Sequence, residues 1–144
     1  MVTEGDIVEI PLPDGRSAIG WILHMSKHFK DAVGLIVFGL KGQPGIGVNY
    51  DPETDAPLSM KVLGPLYTHV EAIQYYRWTR IGHQPISESK RLMTKRRVAD
   101  GVYVGDEYIG SVEEVGEPNL PVMRAYGMIA LYGEIETAFG QSVV

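Results

Sequence analysis

Residues Glu4–Met25, EGDIVEIPLPDGRSAIGWILHM, read as one β-hairpin. On the first arm Val8, Ile10 and Leu12 point one way, with Glu9 and Pro11 opposite. On the second arm Ile19, Trp21, Leu23 and Met25 share a face. Alternation with a period of two marks a half-buried strand. Val8, Ile10, Leu12, Ile19, Trp21 and Leu23 are therefore expected to pack on one another. Between the arms lies Pro13-Asp14-Gly15. Proline pre-sets φ, aspartate bonds nearby backbone, and glycine accepts positive φ. A type I turn followed by a left-handed residue closes a three-residue hairpin, so Gly15 is expected at positive φ.

Further along, Ser26–Asp31 is a polar connection, and Ala32–Leu40, AVGLIVFGL, is almost continuously apolar. That run reads as a buried central strand. Gly34 and Gly39 within it mark bulges or close backbone approaches. Lys41–Pro65 is rich in Gly, Pro and Asp and reads as loop, with a short strand at Leu58–Leu63. Tyr67–Ile86 mixes periods. Val70, Ile73 and Arg77 suit a helical stripe, whereas Tyr75, Tyr76, Trp78 and Thr79 favour a strand. We read two strands there, broken near Gly82 and ended at Pro85.

Ser87–Asp100 is either one short helix capped by Ser87 or Ser89, or an exposed loop. Gly101–Val112, GVYVGDEYIGSV, is a second hairpin, turned at Gly105-Asp106 with glycine first. Glu113–Pro121 reads as an acidic connection. A C-terminal helix is expected around Gly133–Phe139, with Gly140 just past its end. The whole is a mostly β (α+β) chain forming one domain over residues 1–144. Its expected core is a small twisted antiparallel sheet, or a partly open barrel, with one or two short helices.

A chain of 144 residues buries roughly 68–70% of its unfolded surface and needs no staples. Cysteine is absent, which excludes disulfides and thiolate metal sites. No apolar run approaches the length of a membrane-spanning helix. Glu4 and Asp6 stand where a signal peptide has its basic region, so the expected location is cytoplasmic.

The net charge of −5 is unevenly placed. Segment Arg77–Arg97 holds seven bases (Arg77, Arg80, Lys90, Arg91, Lys95, Arg96, Arg97) and one acid, Glu88. Of 13 bases and 18 acids in all, 6 and 17 lie elsewhere, a net of −11. Such a field favours basic partners and opposes nucleic acid. An ordinary solvated acidic surface has the same composition.

Motifs for chemistry are missing. His24, His28, His69 and His83 form no metal pattern, and His24 falls at a strand end. Asp51, Glu53 and Asp55 alternate as in a calcium loop, without the glycine and distant glutamate that such a loop needs. GQPGIG at Gly42–Gly47 fits neither a dinucleotide fingerprint nor a P-loop. No serine stands in a GxSxG elbow. Glu113 and Glu114 are paired carboxylates in a connection, and adjacency alone gives them no acid–base role. No catalytic residue, metal or cofactor is assigned. The basic run SKRLMTKRR, with Tyr75, Tyr76 and Trp78 upstream, is the one feature suited to nucleic acid.

The first hairpin, GDIVEIPLPDGRSAIGWIL at Gly5–Leu23, resembles the opening of the immunity protein 26 family of bacterial polymorphic toxin systems. RWTRIGHQPIS at Arg77–Ser87 is similar to that family's Trp, Ile-Gly and Pro pattern, although Arg77 and Thr79 flank Trp78 where the family has small residues or proline. VYVGDEYIG at Val102–Gly110 and GEIETAFG at Gly133–Gly140 are looser matches in the same order. The resemblance implies a small, non-enzymatic, mostly β protein that binds and silences a cognate toxin domain. Such toxins are often nucleases with basic clefts, which an acidic inhibitor reaches quickly by steering. The expected toxin contacts are Asp51, Glu53 and Asp55 in one loop, and Asp106, Glu107, Glu113 and Glu114 in the stretch Asp106–Glu117. The competing reading is a small nucleic-acid-binding β-barrel using residues 77–97, and a third is an enzyme with no supporting motif. A single exposed stripe of bases beside aromatics favours the nucleic-acid reading; acids on the open face favour the immunity reading.

Overall fold

The computed structural model describes residues 2–29, 31–42 and 63–140. Strands β1 (Asp6–Pro11), β2 (Ser17–Met25), β3 (Ala32–Leu40), β4 (Leu63–His69) and β5 (Thr79–His83) form one sheet in the order β4-β3-β2-β1-β5. A second sheet holds β6 (Arg96–Val98), β7 (Gly101–Val104) and β8 (Glu107–Ser111) in sequence order. Every strand pair in both sheets is antiparallel. Among the described residues there are four α-helices: α1 (Val70–Tyr75), α2 (Glu88–Arg91), α3 (Val112–Val115) and α4 (Met128–Phe139). A 3-10 turn, Leu92–Thr94, follows α2. The fold is mostly β with an open sheet, as the alternation implied.

The first hairpin closes as its turn residues dictate. The Leu12 N–H donates to the Arg16 carbonyl at 2.8 Å, and the Gly15 N–H donates to the Leu12 carbonyl at 3.1 Å. Gly15 stands at φ +89. Asp14 accepts from the Arg16 backbone N–H and from its Nε.

The two arms differ from expectation in how they face the core. In the register, Val8 lies opposite Gly20 and Ile10 opposite Ala18, while Ile7 lies opposite Trp21. Directly opposed residues share a face. Val8, Ile10 and Leu12 therefore look out on the other side from Ile19, Trp21 and Leu23. All are buried, but in two separate clusters. One cluster joins Val8, Ile10, Leu12, Ile22, Val33, Leu35 and Val37 to Leu131, Ile135 and Phe139 of α4. The other joins Ile7, Ile19, Trp21, Leu23, Ile36 and Phe38, with Ile81, Ile86 and Met93 at its margin. The interleaved Ala18, Gly20 and Ile22 of β2 are apolar too, so β2 is a two-faced central strand. A register shift between Ile22 and His24 then moves Met25 to the first cluster, away from Leu23.

Strand β3 is buried at all nine positions, as its apolar run implied. Gly34 is a close approach: a Cβ there would sit 2.8 Å from the Tyr67 ring. Pairing shifts beside Gly39, which is a bulge.

Tyr67–Ile86 is not two strands broken at Gly82. It is the end of β4, then α1, then β5, with Gly82 inside β5 opposite Ile7. Ile73 enters the first cluster and Trp78 follows it, so tertiary packing overrides the strand propensity of Tyr75 and Tyr76, which remain exposed. The helix is closed by Arg77 at φ +58, with the Trp78 N–H donating to the Ile73 carbonyl.

Ser87 caps α2 by accepting from the Lys90 N–H. Glu113–Pro121 is not wholly a connection, because Val112–Val115 is helical. Ser111 and Glu114 form a reciprocal capping box that starts it. Helix α4 begins at Met128, earlier than Gly133. Met128, Leu131, Ile135 and Phe139 are its buried face, and Gly133 lies exposed within it. Most of the segment read as loop, and the expected strand at Leu58–Leu63 apart from Leu63 itself, lie outside the described residues.

Candidate functional site

The turn of the second hairpin faces the end of β2. Gly105 takes φ +60, which puts glycine first in the two-residue turn. The carboxylate of Asp106, next in the turn, reaches back across the junction. Its Oδ1 accepts from Ser26 Oγ at 2.5 Å and lies 3.1 Å from His24 Nε2. Its Oδ2 accepts from the Lys27 N–H at 2.8 Å and the His28 N–H at 3.4 Å. Burial acts to raise the Asp106 pKa. The bonds from Ser26, Lys27 and His24 outweigh it and hold the carboxyl at about 2. An ionised carboxylate only accepts, so His24 carries a proton on Nε2.

Arg96 grips the same turn from inside. It is 1% exposed. Its Nη1 donates to the Gly105 carbonyl at 2.6 Å and the Thr94 carbonyl at 3.1 Å. Its guanidinium carbon lies 5.4 Å from the Phe29 ring centroid and 5.1 Å from that of Tyr67. Such contacts stabilise a desolvated cation. Burial pushes the guanidinium pKa downward and the Tyr67 phenol upward. Asp106 and Arg96 together tie the second sheet to the first.

The expected acidic contacts therefore occupy different settings. Asp106 is engaged in that tie. Glu114 caps α3, and its bonds with Ser111 lower its pKa. Glu107 has a side chain 64% exposed and lies 3.5 Å from Arg91. Glu113 is exposed on α3. Tyr108 and Ile109 stand between these acids, 56% and 40% exposed, on β8 at the edge of its sheet. Asp51, Glu53 and Asp55 lie outside the described residues.

Five of the seven bases in the segment, Arg96 among them, engage the protein's own groups. Arg80 pairs at 3.0 Å with Asp6, a buried acid that also holds His83 Nδ1 at 2.8 Å and the Thr3 N–H at 2.8 Å. Burial acts to raise the Asp6 pKa, and the His83, Thr3 and Arg80 contacts bring it below its usual value. Arg91 pairs with Glu88 at 2.9 Å, and Lys95 pairs with Glu117. Arg97 Nε donates to the Ala99 carbonyl at 3.0 Å. Trp78 is buried, while Tyr75 and Tyr76 meet edge to face on the surface. Arg80 lies on β5, Lys90 and Arg91 on α2, and Arg96 and Arg97 on β6, while Arg77 and Lys95 stand just before β5 and β6; only Arg77 directly adjoins the exposed tyrosines in the chain.

Sequence reading missed the Arg96 and Asp106 ties. Arg96 sits in a run, Lys95-Arg96-Arg97, that looks like solvated surface, and its burial depends on Phe29 and Tyr67 from distant parts of the chain. Among the described residues no helix is long and apolar enough to cross a membrane.

Residues 3–107 match the family model described as immunity protein 26. The match includes the blocks Gly5–Leu23 and Arg77–Ser87 whole and runs into Val102–Gly110, while Gly133–Gly140 lies beyond it. No curated protein and no solved structure matches the chain. The matched residues take in both clusters' central strands and most of the chain, and the protein belongs to the immunity protein 26 family.

Proposed function

We propose that this protein binds one cognate toxin domain of a bacterial polymorphic toxin system in the cytoplasm and silences it by contact, without enzymatic turnover. Family membership carries the reading. The charge layout supports it: residues outside 77–97 hold a net of −11, and several bases within that segment are engaged by the protein's own groups. A toxin with a basic cleft, such as a nuclease, is the partner this field attracts. On the second sheet, Glu107 and Glu113 supply charge, and Tyr108 and Ile109 supply apolar contact at a strand edge. Asp106 and Glu114 hold that surface in shape. The loop with Asp51, Glu53 and Asp55 is the second candidate contact.

Stopped-flow association with a candidate cognate toxin domain tests the reading. The rate should fall as salt rises, since screening shortens the reach of steering. Reversing Glu107 and Glu113 to Lys should slow association, and reversing Asp51, Glu53 and Asp55 tests the other surface. Salt-sensitive binding of single-stranded nucleic acid, with no binding of the toxin domain, would replace this reading with the nucleic-acid one.

A further inference from the structure

A cleft of about 170 Å³ opens between β4, β6 and residues 121–126. Its apolar lining includes Pro65, Met93, Pro121 and Val122, and its charged lining is Lys95, Arg96 and Arg124. The wall formed by residues 121–126 is fixed at both ends by backbone. The Arg97 N–H donates to the Pro121 carbonyl at 2.8 Å and the Met123 N–H to the Arg97 carbonyl at 2.8 Å. At the far end the Tyr126 N–H donates to the Tyr67 carbonyl, and Thr68 Oγ1 donates to the Tyr126 carbonyl at 2.8 Å. The cleft is thus pre-formed, which lowers the ordering cost of binding.

Arg96 makes this more than a crevice. Its Nε and Nη2 are buried and have no hydrogen-bond partner among the described residues. Arg96 makes no ion pair among the described residues. The carboxylate of Asp106 already accepts from Ser26, Lys27 and His28. Asp106 acts on this cation through space and Phe29 and Tyr67 lie against it, but among the described residues no carboxylate bonds it, and a buried charge with unmet donors is costly. Above it, Lys95 is paired with Glu117, and Arg124 is exposed with no ion pair among the described residues.

We infer that this cleft is a carboxylate-binding site that takes an acidic side chain of a protein partner. The apolar walls suit the methylenes of that side chain. Arg124 and Lys95 supply donors at its tip, and Arg96 beneath supplies the compensating charge. A cleft of about 170 Å³ is the size of one side chain. The site does not depend on the toxin reading, because its charge is opposite to the protein's acidic field.

The test follows the arginine Nε–H resonances by NMR in the intact protein. N-acetylglutamate methylamide is the probe, and N-acetylglutamine methylamide is its neutral control. The Arg96 and Arg124 resonances should shift saturably with the acid, while Arg16, at the first hairpin turn, stays still. The glutamine control and the Arg124→Gln variant should each bind about tenfold more weakly. Three results would overturn the assignment: no saturable shift, equal response to the glutamine control, or inorganic phosphate binding as tightly as the glutamate probe.

Discussion

His24 and Asp106 are 82 positions apart in the chain, and they meet at 3.1 Å where the two sheets join. The same carboxylate takes Ser26 and two backbone N–H groups, so one side chain organises the connection that follows β2. The surface offered by β8 depends on this contact, because Asp106 stands at the turn from which β8 starts.

The Asp106 tie gives a specific acid limb to stability. Its folded pKa of about 2 lies below the ordinary 3.8, so the unfolded state takes up the proton first. The contribution is fully present above about pH 4 and is lost as pH falls through about 2; its size is about 2 kcal/mol. Asp106→Asn should cost about that much at pH 7 in urea unfolding. The gap between variant and parent should close as pH approaches 2. A gap that stays constant with pH would contradict the tie.

Trp21 is fully buried, and its indole N–H donates to the Gly5 and Gln84 carbonyls at 3.1 and 3.0 Å. Trp21→Ala should destabilise by about 3–5 kcal/mol, with the loss of the indole donor to these carbonyls adding to the lost packing. A loss below about 1 kcal/mol in a denaturant melt would contradict its place in the second cluster.

The two clusters should behave as separate cores. Phe38→Ala and Leu131→Ala remove buried side chains on opposite faces of the first sheet. Their costs should add within about 0.5 kcal/mol in a double-mutant cycle. A larger coupling would mean that the faces share one packed core.

Gly15 sits at φ +89, yet a Cβ added there would meet nothing within 4 Å. Gly15→Val should therefore cost about 1–3 kcal/mol through backbone strain alone, and Gly15→Asn less. Thermal unfolding of the pair separates strain from packing, because the space around the turn is open to either side chain. Equal costs for the two variants would contradict the strain account.

Local chemistry was legible in the sequence. Pro13-Asp14-Gly15 and Gly105-Asp106 each set a turn from their own residues, and the unbroken run Ala32–Leu40 announced a strand buried on both sides. Long-range partners were not legible. The alternation of Val8, Ile10 and Leu12 against Ile19, Trp21 and Leu23 holds on each arm, but only the register shows that the two sets face apart. Helix α1 is six residues long, too short for periodicity to outweigh the β-propensity of its tyrosines. Asp106 and Glu107 are adjacent acids in the chain, and nothing local shows that one is engaged with β2 while the other faces out.

The most direct test of the proposed function is co-expression of this protein with a candidate cognate toxin domain. Neutralisation by contact predicts that cells making both proteins grow, and that the two purify together as a complex. Cells that die despite folded, abundant protein, with no complex recovered, would contradict it.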